Sequence, residues 1–437
     1  MACTVHFFKE QKVVKKANHQ IKSAPKVFRK ISGKRRIVIG IALFAFLLFW
    51  GGFFALNLVR NNTTIIGFYN IPETDIKTIE SLIMKDPLYK TKFIVLSEKN
   101  ALSKRLFRKV DVLVAYNGAL TADLAAKAVP LSSAIQVRYP SAIKDSPFFT
   151  SLSKSGSMNF CIMPLLLDHF ETSYFEVMKK KTGQKYPETL AQLESYAAGC
   201  QQYLQNPLIC AGAQDANLYS LISVFIESYG GQKGYLNLVQ QMKQMKSTER
   251  LKQMLSLPVG GDAPNGTTFA SVLDRIKQLQ KQSLILPEWY KTTEQTVSIA
   301  MDDNHAAVVF MSLREHREKP FPAIKYFQGY QFPPETSKTR AVVETALCAM
   351  MFRDTEAAQI FMGRLSSEAG QEALSISTKL GPATLRGEAF DVQADDARYF
   401  AAATPGGPVP DIGTASFKDK GRRSAIAAEI RTYLAQN

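Results

Sequence analysis

The chain lacks the residue patterns that carry most metal and covalent chemistry. In 437 residues there are five histidines and five cysteines. His6, His19, His169, His305 and His316 are scattered, and a lone histidine near a turn is ordinarily a hydrogen-bonded surface group. Cys3, Cys161, Cys200, Cys210 and Cys348 match no zinc spacing. There is no P-loop signature, no His-Glu-x-x-His and no Gly-x-Ser-x-Gly. Asp302 and Asp303 are adjacent, so on a strand they would point apart and be solvated. The loop GGDAPNG at 260–266 is glycine-rich, but a phosphate cradle also needs a helix N-terminus behind it. Binding is left as the expected activity, with no enzyme chemistry, cofactor or metal.

Acidic residues are also nearly missing from one end. Up to Arg36 the chain carries eleven lysines and arginines against the single Glu10. The formal charge of +16 is 54 − 38; removing 11 − 1 = +10 for the tail leaves +6 for the other 401 residues. The excess is therefore local, and the main body is not expected to bind nucleic acid.

Directly after this tail comes IVIGIALFAFLLFWGGFFALNLV, residues 37–59, with no charged residue. As a helix it reaches about 34 Å, enough for the hydrocarbon core of a bilayer. The basic flank orients it with 1–36 in the cytoplasm and 60–437 outside. No polar face exists for a surface helix, the basic region is long for a cleaved signal, and no small-x-small site or Cys follows. An uncleaved single-pass signal-anchor in the inner membrane is expected, its basic tail lying against anionic headgroups. Outside the cytoplasm a Cys200–Cys210 disulfide is permitted, although each cysteine also sits in an apolar context that suits a buried thiol.

The exported part begins with alternating elements. TTIIGFYN (63–70), KFIVLSE (92–98) and DVLVAYNG (111–118) read as strands. DIKTIESLIMKD, ALSKRLFRK and LTADLAAKA read as helices between and after them. This alternation predicts a parallel sheet with covered faces. FCIMPLLLD (160–168) is a further strand, followed by FETSYFEVMKKKTG as a helix closed by Gly183. Thr189 and Gln192 have capping-box spacing. PLICAG reads as a strand opening into a polar turn, then NLYSLISVFIESYGG as a helix with Leu218, Leu221, Ile222, Phe225 and Tyr229 on one face. Gly230 and Gly231 are expected to end it. VSIAMDDNHAAVVFMSL and KYFQGYQFPP return to strand character, and DTEAAQIFMGRLSSEAGQEALS reads as two helices with Asp354 as N-cap.

From Ile65 to Ile412 the order and spacing of these pieces resemble the extracellular solute-binding proteins of ABC importers, specifically the sugar-binding type, family 1. MPLLLDHFETSYFEVMKKKTGQKYPETLAQLESYA resembles that family's crossing strand and the helices of lobe two. PLICAGAQDANLYSLISVFIESYGG, FMSLREH, YQFPP, the two late helices and KLGPATLRGEAF follow in the family's order. Two departures concern the ligand: Asn304-His305 stand where a glycine is common, and the Arg314 region replaces a Trp that often stacks on sugar.

The resemblance implies an α/β, two-lobed periplasmic-binding-protein-like fold (type II) that shuts on a small solute, most plausibly a carbohydrate, for an ABC permease. Lobe one is expected at 64–160 plus 298–335, lobe two at 165–297 plus 340–437. The other class compatible with the sequence is a membrane-anchored sensor or scaffold with no transport role. Ligand contacts are expected in loops at strand carboxyl ends: Tyr69, Asn70, Tyr116, Asn117 and Arg314 from lobe one, and Gln214, Asp215 and Tyr219 from lobe two. Asparagine, glutamine and aspartate chelate sugar hydroxyls, and tyrosine offers a flat face with a polar tip. The same asparagines also suit turns, and the tyrosines suit a core.

Overall fold

The computed structural model describes residues 46–47, 49–50 and 63–436, except 84–89, 154–155, 247 and 249. The expected basic tail and nearly all of the expected anchor lie outside the described residues. Among those described, no helix is long and apolar enough to cross a membrane. Residues 60–437 form a compact unit distinct from residues 1–59.

Within that unit the β-branched and aromatic runs form the expected strands: β1 (Thr63–Tyr69), β2 (Lys90–Val95) and β3 (Val112–Tyr116). Helix α1 (Glu73–Ile83) joins the first two, burying Ile76, Ile79 and Ile83 at helical spacing. Helix α2 (Ala119–Ala125) follows β3. A short hairpin of β4 (Thr150–Leu152) and β5 (Met158–Phe160) precedes β6, which runs fourteen residues from Ile162 to Phe175. The later strands are β7 (Leu208–Cys210), β8 (Val308–Ser312), β9 (Phe327–Tyr330), β10 (Glu344–Met351) and β11 (Gly381–Pro382). The main sheet runs β2-β1-β3-β10-β6-β8-β7, with β9 and β11 also on β6.

Strand β6 holds the two halves of this sheet together. Its residues 162–169 pair antiparallel with β10, which pairs in turn with β3. Its residues 170–175 pair with β8 and β9, and β7 runs parallel to β8. Leu165, Leu166 and Leu167 are completely buried, because helices cover both faces there. Pro164 sits beside a register shift between Leu347 and Cys348, where a residue without an N–H is tolerated in an interior strand.

Several expectations change. FETSYF is strand, not helix, and only α3 (Glu176–Thr182) is helical there; the pull is tertiary, since both edges of this segment find partners. Strand β8 belongs with the second sheet half and β10 with the first. In these two strands the return segments at 298–335 and 340–437 pair the opposite way round from the expected lobe assignment, whereas residues 412–435 pack on the helix at 215–244 in the second half, as expected. Residues 294–302 are helical rather than strand-like.

Helix α4 (Leu190–Cys200) is capped by Thr189, whose Oγ1 accepts from the Gln192 amide at 3.2 Å; the Gln192 side chain accepts from Glu188 rather than from Thr189. Helix α5 (Asp215–Gln244) does not stop at the glycine pair. Gly231 has φ +60°, which kinks the helix without ending it. Helices α6 (Phe269–Lys281) and α7 (Glu294–Asp302) lead to β8, which runs directly into α8 (Leu313–Arg317). The two late helices are α9 (Glu356–Leu365) and α10 (Glu368–Thr378), with Thr355 rather than Asp354 as N-cap. Three more close the chain: α11 (Val392–Ala403), α12 (Ile412–Ser416) and α13 (Lys420–Ala435). Cys161, Cys200, Cys210 and Cys348 are buried free thiols, so the Cys200–Cys210 pairing is absent.

Candidate functional site

Four strand ends converge on one cavity. β1 and β3 are parallel and end at Tyr69 and Tyr116; β7 and β8 are parallel and end at Cys210 and Ser312. In each pair the loop past the carboxyl end reaches a cavity of about 370 Å³, where open α/β sheets usually bind ligands. Tyr69, Asn70, Tyr116 and Asn117 line it from the first half, and Gln214 and Arg314 from the second. Thus six of the eight residues expected from the sequence are brought together.

Asn70 is exposed with φ +55°, a left-handed conformation that asparagine tolerates well. Asn117 does two things at once. Its Oδ1 accepts from the Ala346 amide at 2.9 Å, clamping β3 to β10. Its Nδ2 is buried and has no hydrogen-bond partner among the described residues, leaving a donor with a strong demand for an acceptor. Gly118 follows with φ +153°, and a Cβ there would meet the Thr414 carbonyl at 2.8 Å. Only glycine lets the C-terminal segment approach this closely.

Arg314 is already engaged. Its guanidinium donates to Asp75 at 3.2 and 2.8 Å, and its backbone N–H donates to Asp168 at 3.0 Å. Desolvation works against the Arg314 cation, but Asp168, Tyr116 and Asp75 outweigh it and raise its pKa. Asp75 lies in α1 and Arg314 in α8, so this bidentate pair links the two sheet halves beside the cavity. Asp168 is pushed up to about 6, by burial first, with Arg314 opposing.

The remaining acids come from the second half. Glu315 completes a capping box: Ser312 Oγ accepts from its amide at 3.2 Å and the Ser312 amide donates back to Oε2 at 3.1 Å. Glu315 Oε1 accepts from Asn217 Nδ2 at 2.6 Å. Burial, then the neighbouring Glu294, push Glu315 up to about 8. Gln214 hydrogen-bonds Glu294.

Two expected contacts are not at the cavity. Asp215 turns toward α13, where Arg431 and Ser424 donate to its carboxylate at 2.8 and 2.7 Å. Tyr219 is buried beneath Gly413, its hydroxyl donating to the Arg423 carbonyl at 2.7 Å. Both support the C-terminal segment instead. That segment was the largest omission from the sequence reading, since Asp411, Thr414, Lys418 and Arg423 all line the cavity. A usable signal was Asp411 three residues before Thr414, an N-cap spacing the structure uses at 2.9 Å. Among the described residues no group of three or more His, Cys, Asp or Glu is arranged to hold a metal ion.

No protein-family model matches the sequence, and no curated protein sequence matches it. The fold has many structural counterparts. The bacterial solute receptor AcbH, described as exclusive for β-D-galactopyranose, aligns with a TM-score of 0.66 at 12% identity, over 86% of this chain and 98% of its own. Binding protein MsmE of Bacillus subtilis, in an open conformation, gives 0.64 at 12% identity over 86% and 93%. The raffinose-bound solute-binding protein RafE gives 0.56 at 13% identity over 85% and 99%. Solute receptors and a raffinose-bound solute-binding protein thus share the fold of this chain, the α/β periplasmic-binding-protein fold that the resemblance implied.

Proposed function

We propose that the chain is an extracytoplasmic receptor that captures a carbohydrate for an ABC-type permease. One observation carries this reading: a polar cavity at four strand ends, drawn from both halves of a sheet whose counterparts in other proteins bind sugars. Asn117 Nδ2 and the Gln214 amide offer donors to sugar hydroxyls, and Asp168 and Glu294 offer acceptors. Tyr69 and Tyr116 supply the aromatic faces. Trp289 cannot, since it is fully buried under Gly212. Ligand contacts from both halves would favour a closed arrangement to the extent that they bind it better. The apolar run at 37–59 would keep the receptor at the membrane, raising its concentration near one permease.

The test is a thermal-shift screen of the full chain in detergent against mono- and oligosaccharides, polyols, amino acids and peptides. A sugar at a hundred times its Kd should stabilise the native state by about 2.7 kcal/mol, seen as a rise of several degrees in Tm. A shift only with amino acids or peptides, or with nothing, would remove the proposal.

A further inference from the structure

Beside the first cavity lies a second of about 730 Å³, and Ala119 and Lys418 line both. Its walls come from α2, the end of α5, Arg250 and the junction of α12 with α13. Four cations line it, Lys243, Arg250, Lys418 and Arg422, against two acids, Asp123 and Asp419. Both acids are committed. Asp123 accepts from Lys418 at 2.7 Å, and Asp419 caps α13 by accepting from the Arg422 amide at 2.6 Å.

The cations are less well satisfied. Among the described residues no carboxylate forms an ion pair with Lys243; its ammonium lies 5.9 Å from the centre of the Phe148 ring. Lys243 is exposed as a residue, yet enough protein surrounds its ammonium that desolvation lowers its pKa, with Asp123 opposing. Arg250 meets Glu429 only at 3.7 Å, from an exposed side chain. Arg422 lies over the Phe417 ring at 4.6 Å and donates to the Lys246 carbonyl, while its Nε is buried with no partner among the described residues. A solvated charged face would not gather four cations around one concavity and leave a buried N–H unpaired. The first cavity has the opposite balance, with Asp168, Glu294, Glu315, Glu318 and Asp411 against Arg314, Arg423 and the shared Lys418.

Building on the sugar-receptor reading, we infer that the ligand is an anionic sugar, its ring hydroxyls held in the first cavity and its acidic group in the cation-lined second one. Lys418 stands at the junction and would exchange Asp123, a half-exposed partner, for the ligand's acid. A carboxylate or a phosphate ester supplies the same chemistry, and the experiment separates them.

The full chain in detergent is titrated calorimetrically with matched pairs: galactobiose and digalacturonate, glucose and glucuronate, glucose and glucose 6-phosphate. The acid of at least one pair should bind at least tenfold more tightly than its neutral partner, and the pair that responds tells carboxylate from phosphate. Raising sodium chloride from 50 to 500 mM should weaken the acid more than the neutral sugar. Replacing Lys243→Gln together with Arg250→Gln should reduce the acid-to-neutral preference at least tenfold, with an unchanged melting temperature verifying the fold. A neutral sugar that binds as well as its acid, with equal salt response, overturns the inference and leaves the sugar-receptor reading intact. If no sugar binds, both fall together.

Discussion

Two histidine–glutamate pairs lie close together where the sheet halves meet, and their surroundings differ. Glu171 on β6 accepts from His316 Nδ1 at 2.9 Å, from Gln393 at 2.8 Å and from Ser173 at 3.1 Å. Burial alone would raise its pKa, but these donors and the nearby histidines outweigh it, and the carboxyl lies below the ordinary glutamate range. Glu344 on β10 faces His169 at 3.5 Å, and neither carboxylate oxygen has a hydrogen-bond donor among the described residues. Burial raises Glu344 well above its ordinary value and lowers His169 to about 4. One pair holds an ionised carboxylate and the other sits neutral. The donor count decides this, because both carboxyls are equally buried.

The comparison breaks most visibly at Glu171. Glu171→Ala leaves His316 and Gln393 facing an empty site and should cost about 3–5 kcal/mol in urea unfolding. Because the folded pKa is depressed, the contribution of Glu171 is present above the unfolded glutamate value and lost as pH falls through the folded one. The variant should therefore show its largest deficit near neutral pH. It should also weaken ligand, since His316 sits on α8 beside Arg314 and Glu315. A stability loss under 1 kcal/mol would show that this network does not hold the seam.

Glu227 sharpens the opposite case. Among the described residues its one hydrogen-bond donor is the Val342 amide, at 2.8 Å, and burial pushes it up to about 8. A raised carboxyl pKa means that the folded state binds more protons than the unfolded one between about 4.5 and 8. Its contribution to stability accordingly falls as pH rises through that window. Glu227→Gln keeps an acceptor for Val342 and removes the titration. Stability should rise by about 4 kcal/mol at pH 8 and change little at pH 4, read from paired denaturant curves. An equal effect at both pH values would contradict the assigned ionisation.

These seam groups were not legible in the sequence. Glu171 lies in FETSYF, whose spacing also fits a helix, and nothing local reveals that β8 and β9 take both its edges. His169 and His316 are far apart in the chain, so their partners emerge only with the topology. The strands β1 and β3 and their terminal Tyr-Asn pairs were legible, because apolar runs ending in turn residues are local signals. Gln214 followed from a short buried strand opening into a polar turn. The cavity residues beyond 410 were not visible, because their role depends on α12 and α13 folding back against α2 and α5. The reversed pairing of β8 and β10 has the same origin: burial pattern identifies a strand, whereas its neighbour is set by contacts distant in sequence.

The smallest effect should come from Asp215, which the sequence marked as a ligand contact. Its carboxylate binds Arg431 and Ser424 instead, and Arg431 also donates to the carbonyls of Gly212, Ala213 and Tyr290. Removing Asp215 therefore loosens one arm of a fan that the carbonyls still hold. The Asp215–Arg431 pair is partly exposed, so screening limits its worth. Asp215→Ala should cost about 0.5–1 kcal/mol in stability and leave sugar affinity within about twofold, since the side chain does not line the cavity. Asn117→Ala supplies the contrast, because it deletes both the clamp on Ala346 and the unpartnered donor at the cavity. If Asp215→Ala weakened ligand more than Asn117→Ala, the cavity at the four strand ends would be the wrong one, and the surface between α5 and α13 would replace it.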